Sequence, residues 1–344
     1  MSKIKKILLT FDFELFLGDK SGTVKNCMIK PTEELLKVLS KHNLASVFFV
    51  DTLYLYRLKQ IALEHEAARK DYDTIIVLLR KIITNKGSVF HHLHPHWLDA
   101  KYLKELNQWD VSDKTKFALS NLTHNEIELV FNQSNEILEE IYVGFEKPKT
   151  TGFRAGGLYA QPFLAYKEQM QKYNITLDFS VLRNAKSEGN KGGYRFDYSQ
   201  YPQDRIFHFS EEVNIENKVG NFTEFTLDQC EIKGVFKILN GLYYRMNYKK
   251  ESWERWGDGT SSGNRVKSAE RGNKLKSEES FSIELLNTVK STLYRNYLKK
   301  EDFLHVISHP KLFSPMNIKS LDKLLSKVKS KYVIESDVFR IGSV

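Results

Sequence analysis

The sequence contains little cysteine and has no long hydrophobic run. Only 2 cysteines, Cys27 and Cys230, occur among 344 residues, and no Cys-x-x-Cys pair is present. This excludes a cysteine-based zinc site and argues against a disulfide framework. The first apolar run, Ile7-Leu8-Leu9, is far too short for the core of a signal peptide or for a membrane span. We therefore expect a cytoplasmic protein without a membrane span.

The chain also lacks an arginine-rich tract and a nucleic-acid-binding motif, although its net charge is +9. Such a charge would suit an anionic partner. The excess is diffuse, however, and comes from lysine-rich helices and the basic region 249–276, so we interpret it as solvated surface. Nucleic-acid binding is the weakest of our hypotheses. The sequence has no internal repeat and no sharp change in composition, so we predict a single domain over 1–344.

Strands and helices alternate along most of the chain. The predicted strands are 5–11, 45–50, 88–93, 150–153, 176–181, 303–308 and a short one at 332–334. The predicted helices are 32–42, 52–69, 72–85, 123–142, 161–173, 281–298 and 318–331. Repeated β-α units imply a parallel sheet or barrel. The predicted fold is therefore α/β, a distorted (β/α) barrel with about seven parallel strands.

Two regions interrupt this alternation. Short β-like runs at 194–198, 206–209, 222–226 and 235–239 follow one another without helices between them. They predict hairpin or loop insertions packed over the barrel. Residues 249–280 are polar and rich in glycine, serine and charge, which is typical of a mobile loop.

Four of the 10 histidines fall within residues 91–96, a density that neither a solvated loop nor a buried core requires. Imidazole is the commonest metal-binding side chain. His92 and His96 are four residues apart, and a helix that begins at Pro95 would place His96 on its first turn. His92 and His94 are two apart and would lie on one face of a strand. We favour His92 with His96 and retain His92 with His94 as the alternative.

Other polar residues lie at or near the C-terminal ends of predicted strands, where the active sites of (β/α) barrels are built. They are Asp12, Glu14, Arg154, Asp178 and His309. A hydrolytic metal site needs about three protein ligands and a position for water, and two histidines with one carboxylate would supply the ligands. A second carboxylate could act as general base and another histidine as general acid. Arg154 could orient the base and keep it ionised.

The same residues form an ordered series of motifs that resembles the polysaccharide deacetylase superfamily, the NodB-homology proteins of carbohydrate esterase family 4. The matching segments are Thr10-Phe11-Asp12-Phe13-Glu14, His92-Leu93-His94-Pro95-His96-Trp97, Gly152-Phe153-Arg154-Ala155-Gly156, Leu177-Asp178-Phe179-Ser180 and Ile307-Ser308-His309-Pro310. The histidine motif has the form seen in cytoplasmic members encoded with cell-surface polysaccharide genes.

The resemblance implies a NodB-like barrel, a divalent metal and a hydrolytic activity. The metal would be zinc, with cobalt or nickel as alternatives, and the substrate an N-acetylated sugar or glycan precursor that loses its acetyl group. The implied metal ligands are Glu14, His92 and His96. The implied catalytic residues are the base Asp12, the acid His309, and Arg154 and Asp178, which tune them.

Three features depart from the family pattern. Phe13 separates the two acidic residues of the first motif, Ala155-Gly156 replaces the usual proline after the arginine, and the fourth motif lacks its tryptophan. Related members share the spaced first motif. The other two departures motivate an alternative hypothesis, a catalytically silent relative that binds a glycan or a protein.

Overall fold

The computed structural model describes residues 3–187, 196–247, 250–261, 276–284 and 286–337. The chain divides into two compact units. The terminal unit comprises Met1–Phe11, Leu15–Ser46 and Asp228–Val344, and the central unit comprises Asp12–Glu14 and Val47–Leu227. The single domain expected over 1–344 stays a prediction.

The strands of the described residues are, in chain order, β1 (Ile4–Phe13), β2 (Val47–Asp51), β3 (Ser88–Leu93), β4 (Lys101–Leu103), β5 (Gln108–Asp110), β6 (Thr151–Ala155), β7 (Ile175–Asp178), β8 (Lys186–Ser187), β9 (Phe196–Asp197), β10 (Ile206–Phe209), β11 (Phe222–Phe225), β12 (Gln229–Lys233), β13 (Lys276–Ser280), β14 (Phe303–Ser308) and β15 (Val333–Glu335). The α-helices are α1 (Lys30–Lys41), α2 (Thr52–Ala62), α3 (Glu66–Thr84), α4 (His124–Tyr142), α5 (Lys167–Lys172), α6 (Val235–Asn247), α7 (Thr288–Lys300) and α8 (Pro315–Lys329).

A parallel sheet forms the core of the central unit. Its strands lie in the order β2, β3, β6, β7 and β11, and β10 pairs antiparallel with β11. The register places Asp51 beside His92, His92 beside Arg154, and Asp178 beside Glu224. Since the strands are parallel, the polar residues at their C-terminal ends lie along one edge of this sheet.

In the central unit, local sequence signals determine where helix α4 begins and which of its faces is buried. Thr123 accepts a hydrogen bond from the backbone N–H of Glu126, and the Glu126 carboxylate accepts one from the N–H of Thr123, 2.9 Å away. This capping box satisfies N–H groups that the first turn leaves without helical partners. The helix then buries one apolar face, including Val130 and Phe131. The predicted start of the helix is confirmed.

In the terminal unit, β1 pairs in parallel with both β14 and β15. The register places Thr10 beside Ile307 and Phe11 beside Ser308. Helix α8 begins at Pro315, and the preceding Ser314 caps it by accepting a hydrogen bond from the N–H of Asn317. The last short strand, expected near residue 332, is confirmed as β15.

Several predicted elements are wrong, two for a local reason and one because of a long-range strand pairing. Residues 235–239 form the start of helix α6, because the apolar pattern of this run continues with helical spacing to residue 246. The helix expected from residue 281 begins at Thr288, where the side chain of Asn287 accepts hydrogen bonds from the two N–H groups that open it. The run at 222–226 was expected in an insertion, but β11 is a parallel strand of the central sheet.

Part of the predicted mobile loop 249–280 is ordered into β13, which pairs antiparallel with β12. Residues 249 and 262–275 of that loop lie outside the described residues, as do residues 194 and 195 of the predicted run 194–198. The mobility of the loop stays a prediction.

The mostly parallel strands and intervening helices confirm the predicted α/β class, a distorted (β/α) barrel. Among the described residues, we find no helix with both the length and the apolar character needed to cross a bilayer.

Candidate metal centre

Three buried side chains at strand ends of the central unit form a compact group of metal-binding atoms. Glu14 directly follows β1, His92 lies in β3 and His94 directly follows β3. Glu14 Oε2 is 2.6 Å from His94 Nε2 and 3.4 Å from His92 Nε2. The two Nε2 atoms are 3.0 Å apart. One carboxylate oxygen and two ring nitrogens thus converge on one point.

These donors fit a divalent metal. Zinc bonds of about 2.0–2.1 Å in a tetrahedral site place neighbouring ligand atoms about 3.3 Å apart. Two of the three separations, 3.0 and 3.4 Å, are close to that value, and the third, 2.6 Å, is a hydrogen-bond distance that a bound ion would lengthen. Two imidazoles and one carboxylate are also a donor set that hydrolytic zinc sites use, with a fourth position left open.

The backbone orients His92 toward this group. His92 Nδ1 lies 2.9 Å from the carbonyl oxygen of Arg154, its register partner on β6. A carbonyl oxygen only accepts hydrogen bonds, so Nδ1 carries a proton, and Nε2 is the nitrogen that faces Glu14 and His94 and becomes a ligand when it is deprotonated. A histidine ligand held in this way by a backbone carbonyl is a common arrangement around protein-bound metals.

The electrostatics of the group favour a cation. Burial alone would lower the pKa of His92, but the carboxylates of Asp12, Glu14 and Asp51 outweigh it and raise the pKa to about 9. Those carboxylates create a negative potential at the His92 ring, and the same potential would stabilise a bound metal ion.

His91 has a different environment, because successive side chains on a strand point to opposite faces. Its Nδ1 lies 2.7 Å from Ser134 Oγ on α4. Burial lowers the pKa of His91 to about 3, so the ring is neutral. His91 therefore joins the sheet to α4 and does not contribute to the metal group.

Asp12 is a second carboxylate beside the group, and a buried arginine holds it. Arg154 Nη1 donates a hydrogen bond of 2.5 Å to Asp12 Oδ1, and Arg154 Nε donates one of 3.0 Å to the carbonyl of Phe179. The guanidinium also lies over the ring of Phe49, 4.1 Å from its centroid. Asp12 Oδ2 is 4.0 Å from His92 Nε2. The carboxylate is thus fixed at the margin of the donor group.

Behind Arg154, Asp178 and Glu224 form a buried acidic pair on neighbouring strands. Asp178 Oδ1 accepts from the N–H of Ser180 at 2.9 Å, and Glu224 Oε1 accepts from the N–H of Val181 at 3.0 Å. The other oxygen of each, Oδ2 and Oε2, has no N–H or O–H donor among the described residues.

A proton shared between the two carboxyl groups explains how Asp178 and Glu224 can be buried side by side. Burial raises the pKa of both carboxyls, and the negative charge of Asp178 raises that of Glu224 further. Two buried carboxyls side by side cannot both ionise, so the pair holds one proton.

His96 is not part of the three-residue group found among the described residues. It lies in a 3₁₀ turn, Pro95–Leu98, with its ring stacked on Phe117 at a centroid distance of 6.3 Å. The geometry therefore supports the alternative pair, His92 and His94, and the favoured assignment of His96 as a ligand stays a prediction.

Gly156 allows the chain to pass close to His94. A β-carbon at this position would lie 2.5 Å from the carbonyl oxygen of Leu93 and 2.7 Å from His94 Nδ1, too close for either atom to stay in place. The glycine that ends the arginine motif therefore has a direct packing role beside one of the candidate ligands.

His309 lies in the terminal unit, directly after β14. Its side chain is partly exposed, and its Nδ1 lies 3.1 Å from Glu284 Oε1. Its role as the acid stays a prediction. The central unit brings together the other predicted residues Asp12, Glu14, His92 and Arg154, with Asp178 behind Arg154.

Sequence reasoning missed Asp51 and Glu224. Asp51 is fully buried at the end of β2, and it accepts a hydrogen bond of 2.5 Å from Trp97 Nε1. Burial and the nearby Glu14 raise the pKa of Asp51 to about 8. A signal existed for each residue: Asp51 ends an apolar strand as Asp12 does, and Glu224 interrupts the run Phe222–Phe225.

The sequence matches no protein-family model and no curated protein. Among solved structures, it is similar to a polysaccharide deacetylase from Bacillus cereus, with 12% identity, a TM-score of 0.40, and coverage of 96% of this chain and 91% of that chain. A family 4 carbohydrate esterase from Streptomyces lividans gives 9% identity, a TM-score of 0.39, and 97% and 91% coverage. An allantoinase gives 10% identity, a TM-score of 0.48, and 99% and 89% coverage.

Proposed function

We propose that this protein is a metal-dependent hydrolase of non-peptide C–N bonds, which removes the acetyl group from an N-acetylated sugar or glycan precursor. One observation carries the proposal: the buried Glu14–His92–His94 group lies beside a separate carboxylate, Asp12, which a buried arginine holds in place. A site that only stores a metal has no need of that second carboxylate, whereas hydrolysis requires a base next to the metal.

We assign Glu14, His92 and His94 as the metal ligands, with His96 as the alternative to His94. A bound zinc-type ion would polarise the acetamide carbonyl and make a bound water more acidic. The mutual distances of the three donors and the ring orientation of His92, whose Nδ1 faces the carbonyl oxygen of Arg154, support this assignment. The identity of the metal is a proposal based on the donor set.

Asp12 is the proposed general base. Arg154 holds its Oδ1, while Oδ2 lies toward His92. The attacking water would lose its proton to this carboxylate, and the positive charge of Arg154 favours the ionised form that can accept it. On the motif resemblance alone, we assign protonation of the leaving amine to His309.

The proposed sugar substrate is supported by the motif series and by aromatic surface near the histidines. Phe117 and Tyr159 are both half-buried, and their ring centroids are 5.5 Å apart. The ring of Phe117 also contacts those of His94 and His96. Apolar ring surface beside a few fixed polar groups is typical of small-molecule sites.

The first test is the metal content of the purified, untagged chain, measured by elemental analysis after incubation with zinc. We expect about one ion per chain, lost in Glu14→Gln and in His94→Ala but retained in His96→Ala. His124→Ala, which changes an exposed histidine on α4, is the control. Metal loss in His96→Ala with retention in His94→Ala would reverse the ligand assignment. A wild-type chain that binds no metal would refute the proposed function.

The second test is acetate release from a panel of N-acetylated sugars. Asp12→Asn keeps the shape of the side chain but cannot accept the proton, so we expect it to retain the metal and lose turnover. Loss of the metal in this variant would instead make Asp12 a ligand. A chain that binds metal but releases no acetate would favour the catalytically silent alternative, which the replacement of the motif proline by Ala155-Gly156 motivates.

A further inference from the structure

The central unit contains a cavity of about 200 Å³ that is separate from the metal group. His91 of β3 and Thr151 of β6 line it from the sheet, and Asn135, Leu138 and Tyr142 line it from helix α4. Because successive side chains on a strand point to opposite faces, the ring of His91 points away from the metal group. Protein interiors contain few voids larger than one water molecule, so the packing of α4 on the sheet does not account for this one.

Three polar groups in this cavity have no hydrogen-bond partner among the described residues. They are Nε2 of His91, the side-chain amide of Asn135 and the hydroxyl of Thr151. His91 is only 1% exposed, and Asn135 and Thr151 are half-buried. Polar groups in such places are normally hydrogen-bonded. All three are therefore positioned to bond a molecule that enters the cavity.

A chain of hydroxyl groups determines which proton His91 offers. Thr52 Oγ1 lies 2.6 Å from Ser134 Oγ, which lies 2.7 Å from His91 Nδ1. If Nδ1 donated to Ser134, and Ser134 to Thr52, the buried hydroxyl of Thr52 would have no acceptor among the described residues. The opposite order, from Thr52 to Ser134 to Nδ1, uses both hydroxyl protons. His91 then carries its proton on Nε2, which presents an N–H donor to the cavity.

The lining of the cavity favours a neutral, hydroxyl-rich ligand. Its described charged residues neutralise each other, because Lys147 forms an ion pair with Glu139. An ionised ligand would lose its hydration here without gaining a counter-charge. The three polar groups lie on two facing walls, the sheet and α4, beside apolar surface from Leu138 and Tyr142. A ring that carries several hydroxyls can donate and accept on every side, and its C–H surface is apolar.

The volume limits the ligand to one small ring. The cavity has room for about seven water molecules at about 30 Å³ each, and it is smaller than the sites of about 300–1,000 Å³ that hold drug-sized molecules. We propose that it is a second binding site, for a neutral, hydroxyl-rich molecule of monosaccharide size, which His91 Nε2–H, Asn135 and Thr151 hold. The proposal does not depend on the metal centre, because none of these three residues belongs to the metal group.

The test is saturation-transfer NMR with the full chain, made metal-free with a chelator, and glucose, galactose, mannose or N-acetylglucosamine. Uracil, a planar neutral ring, is the comparison ligand. We expect at least one of the sugars to bind. Asn135→Leu removes a donor and an acceptor and should weaken that binding at least about 10-fold, and Thr151→Val, which keeps the shape of the side chain, should weaken it at least about 3-fold. Asn125→Leu, the same change at an exposed position of α4, is the matched control and should bind as the wild type does.

Two further measurements separate this site from loss of structure and from the metal group. The melting temperature of Thr151→Val should equal that of the wild type, so that its weaker binding reports on the cavity alone. His94→Ala, which changes the metal group, should leave the sugar affinity unchanged. Loss of binding in His94→Ala would place the sugar at the metal group and overturn the proposal. Wild-type affinity in both cavity variants, binding of uracil in place of the sugars, or no binding of any of the four sugars would also overturn it.

Discussion

Glu224→Gln should weaken the dependence of stability on pH, because it removes the proton that the buried pair shares. Glutamine has nearly the size of glutamate, and its amide N–H can donate to Asp178 Oδ2, which accepts from no N–H group among the described residues. The backbone N–H of Val181 can still donate to the side-chain oxygen at position 224. We therefore expect the variant to fold with the same contacts but without a titrating group at this position.

The sign of the effect follows from the raised pKa of Glu224. Below the ordinary glutamate pKa of about 4.3, the group is protonated in both folded and unfolded chains and has no effect on stability. As the pH rises, the unfolded chain loses this proton while the folded chain keeps it, so the wild type is destabilised relative to the variant. The slope is at most about 1.4 kcal/mol per pH unit while the folded chain keeps the proton, and a comparison of about pH 5 with about pH 7 lies above the ordinary glutamate pKa.

The measurement is the free energy of unfolding in urea at those two pH values, for wild type and Glu224→Gln. Glu168→Gln, which changes an exposed glutamate on α5, is the control and should follow the wild type. Infrared spectroscopy at neutral pH gives a direct second readout, because Glu224→Gln alone should lose the protonated-carboxyl band of the pair, while the band of buried Asp51, whose pKa is raised to about 8, stays in all three proteins. Equal pH slopes in all three proteins, with an unchanged infrared band, would show that Glu224 is ionised and would refute the shared proton.

Three further predictions concern the site and its surroundings. Arg154→Met leaves the buried Asp12 without its ion-pair partner. We expect it to reduce the free energy of unfolding, measured by urea titration, by about 3–5 kcal/mol. A loss below about 1 kcal/mol would contradict the stabilising role of this ion pair. Gly156→Ala should lower zinc affinity in competition with a chelator, because the new β-carbon would displace His94; unchanged affinity would argue against His94 as a ligand. His309→Ala should lower kcat for acetate release about 10²–10⁴-fold with the metal content unchanged; full activity would remove the acid assignment.

That several of the polar residues in and around the metal group lie together could be predicted because strand ends are visible in sequence. Asp12, His92 and Arg154 each follow or end a short apolar run, and parallel strands place such residues along one edge. The choice between His94 and His96 could not be made in this way. It depends on the backbone after β3, where Pro95 starts a 3₁₀ turn that carries His96 toward Phe117.

The acidic pair was not predictable for a different reason. Phe222–Phe225 is short and lies in a region of loops and turns, so its pattern does not reveal which strand it joins. Only the register of β11 against β7 brings Glu224 beside Asp178. A long-range strand pairing thus creates a property, a shared buried proton, that neither segment shows alone.

The contrast between His91 and His92 shows how closely the chemistry of this site depends on strand register. Adjacent on β3 and both buried, the two histidines have pKa values displaced in opposite directions, to about 3 and to about 9. One faces Ser134 on a helix and the other faces three carboxylates, solely because side chains alternate along a strand. A slip of one residue in the pairing of β3 would exchange their positions and leave Glu14 opposite the wrong ring. The backbone pairing of β3 with β2 places Asp51 beside His92, and its pairing with β6 places Arg154 beside His92. These two pairings fix the register of β3 on both sides.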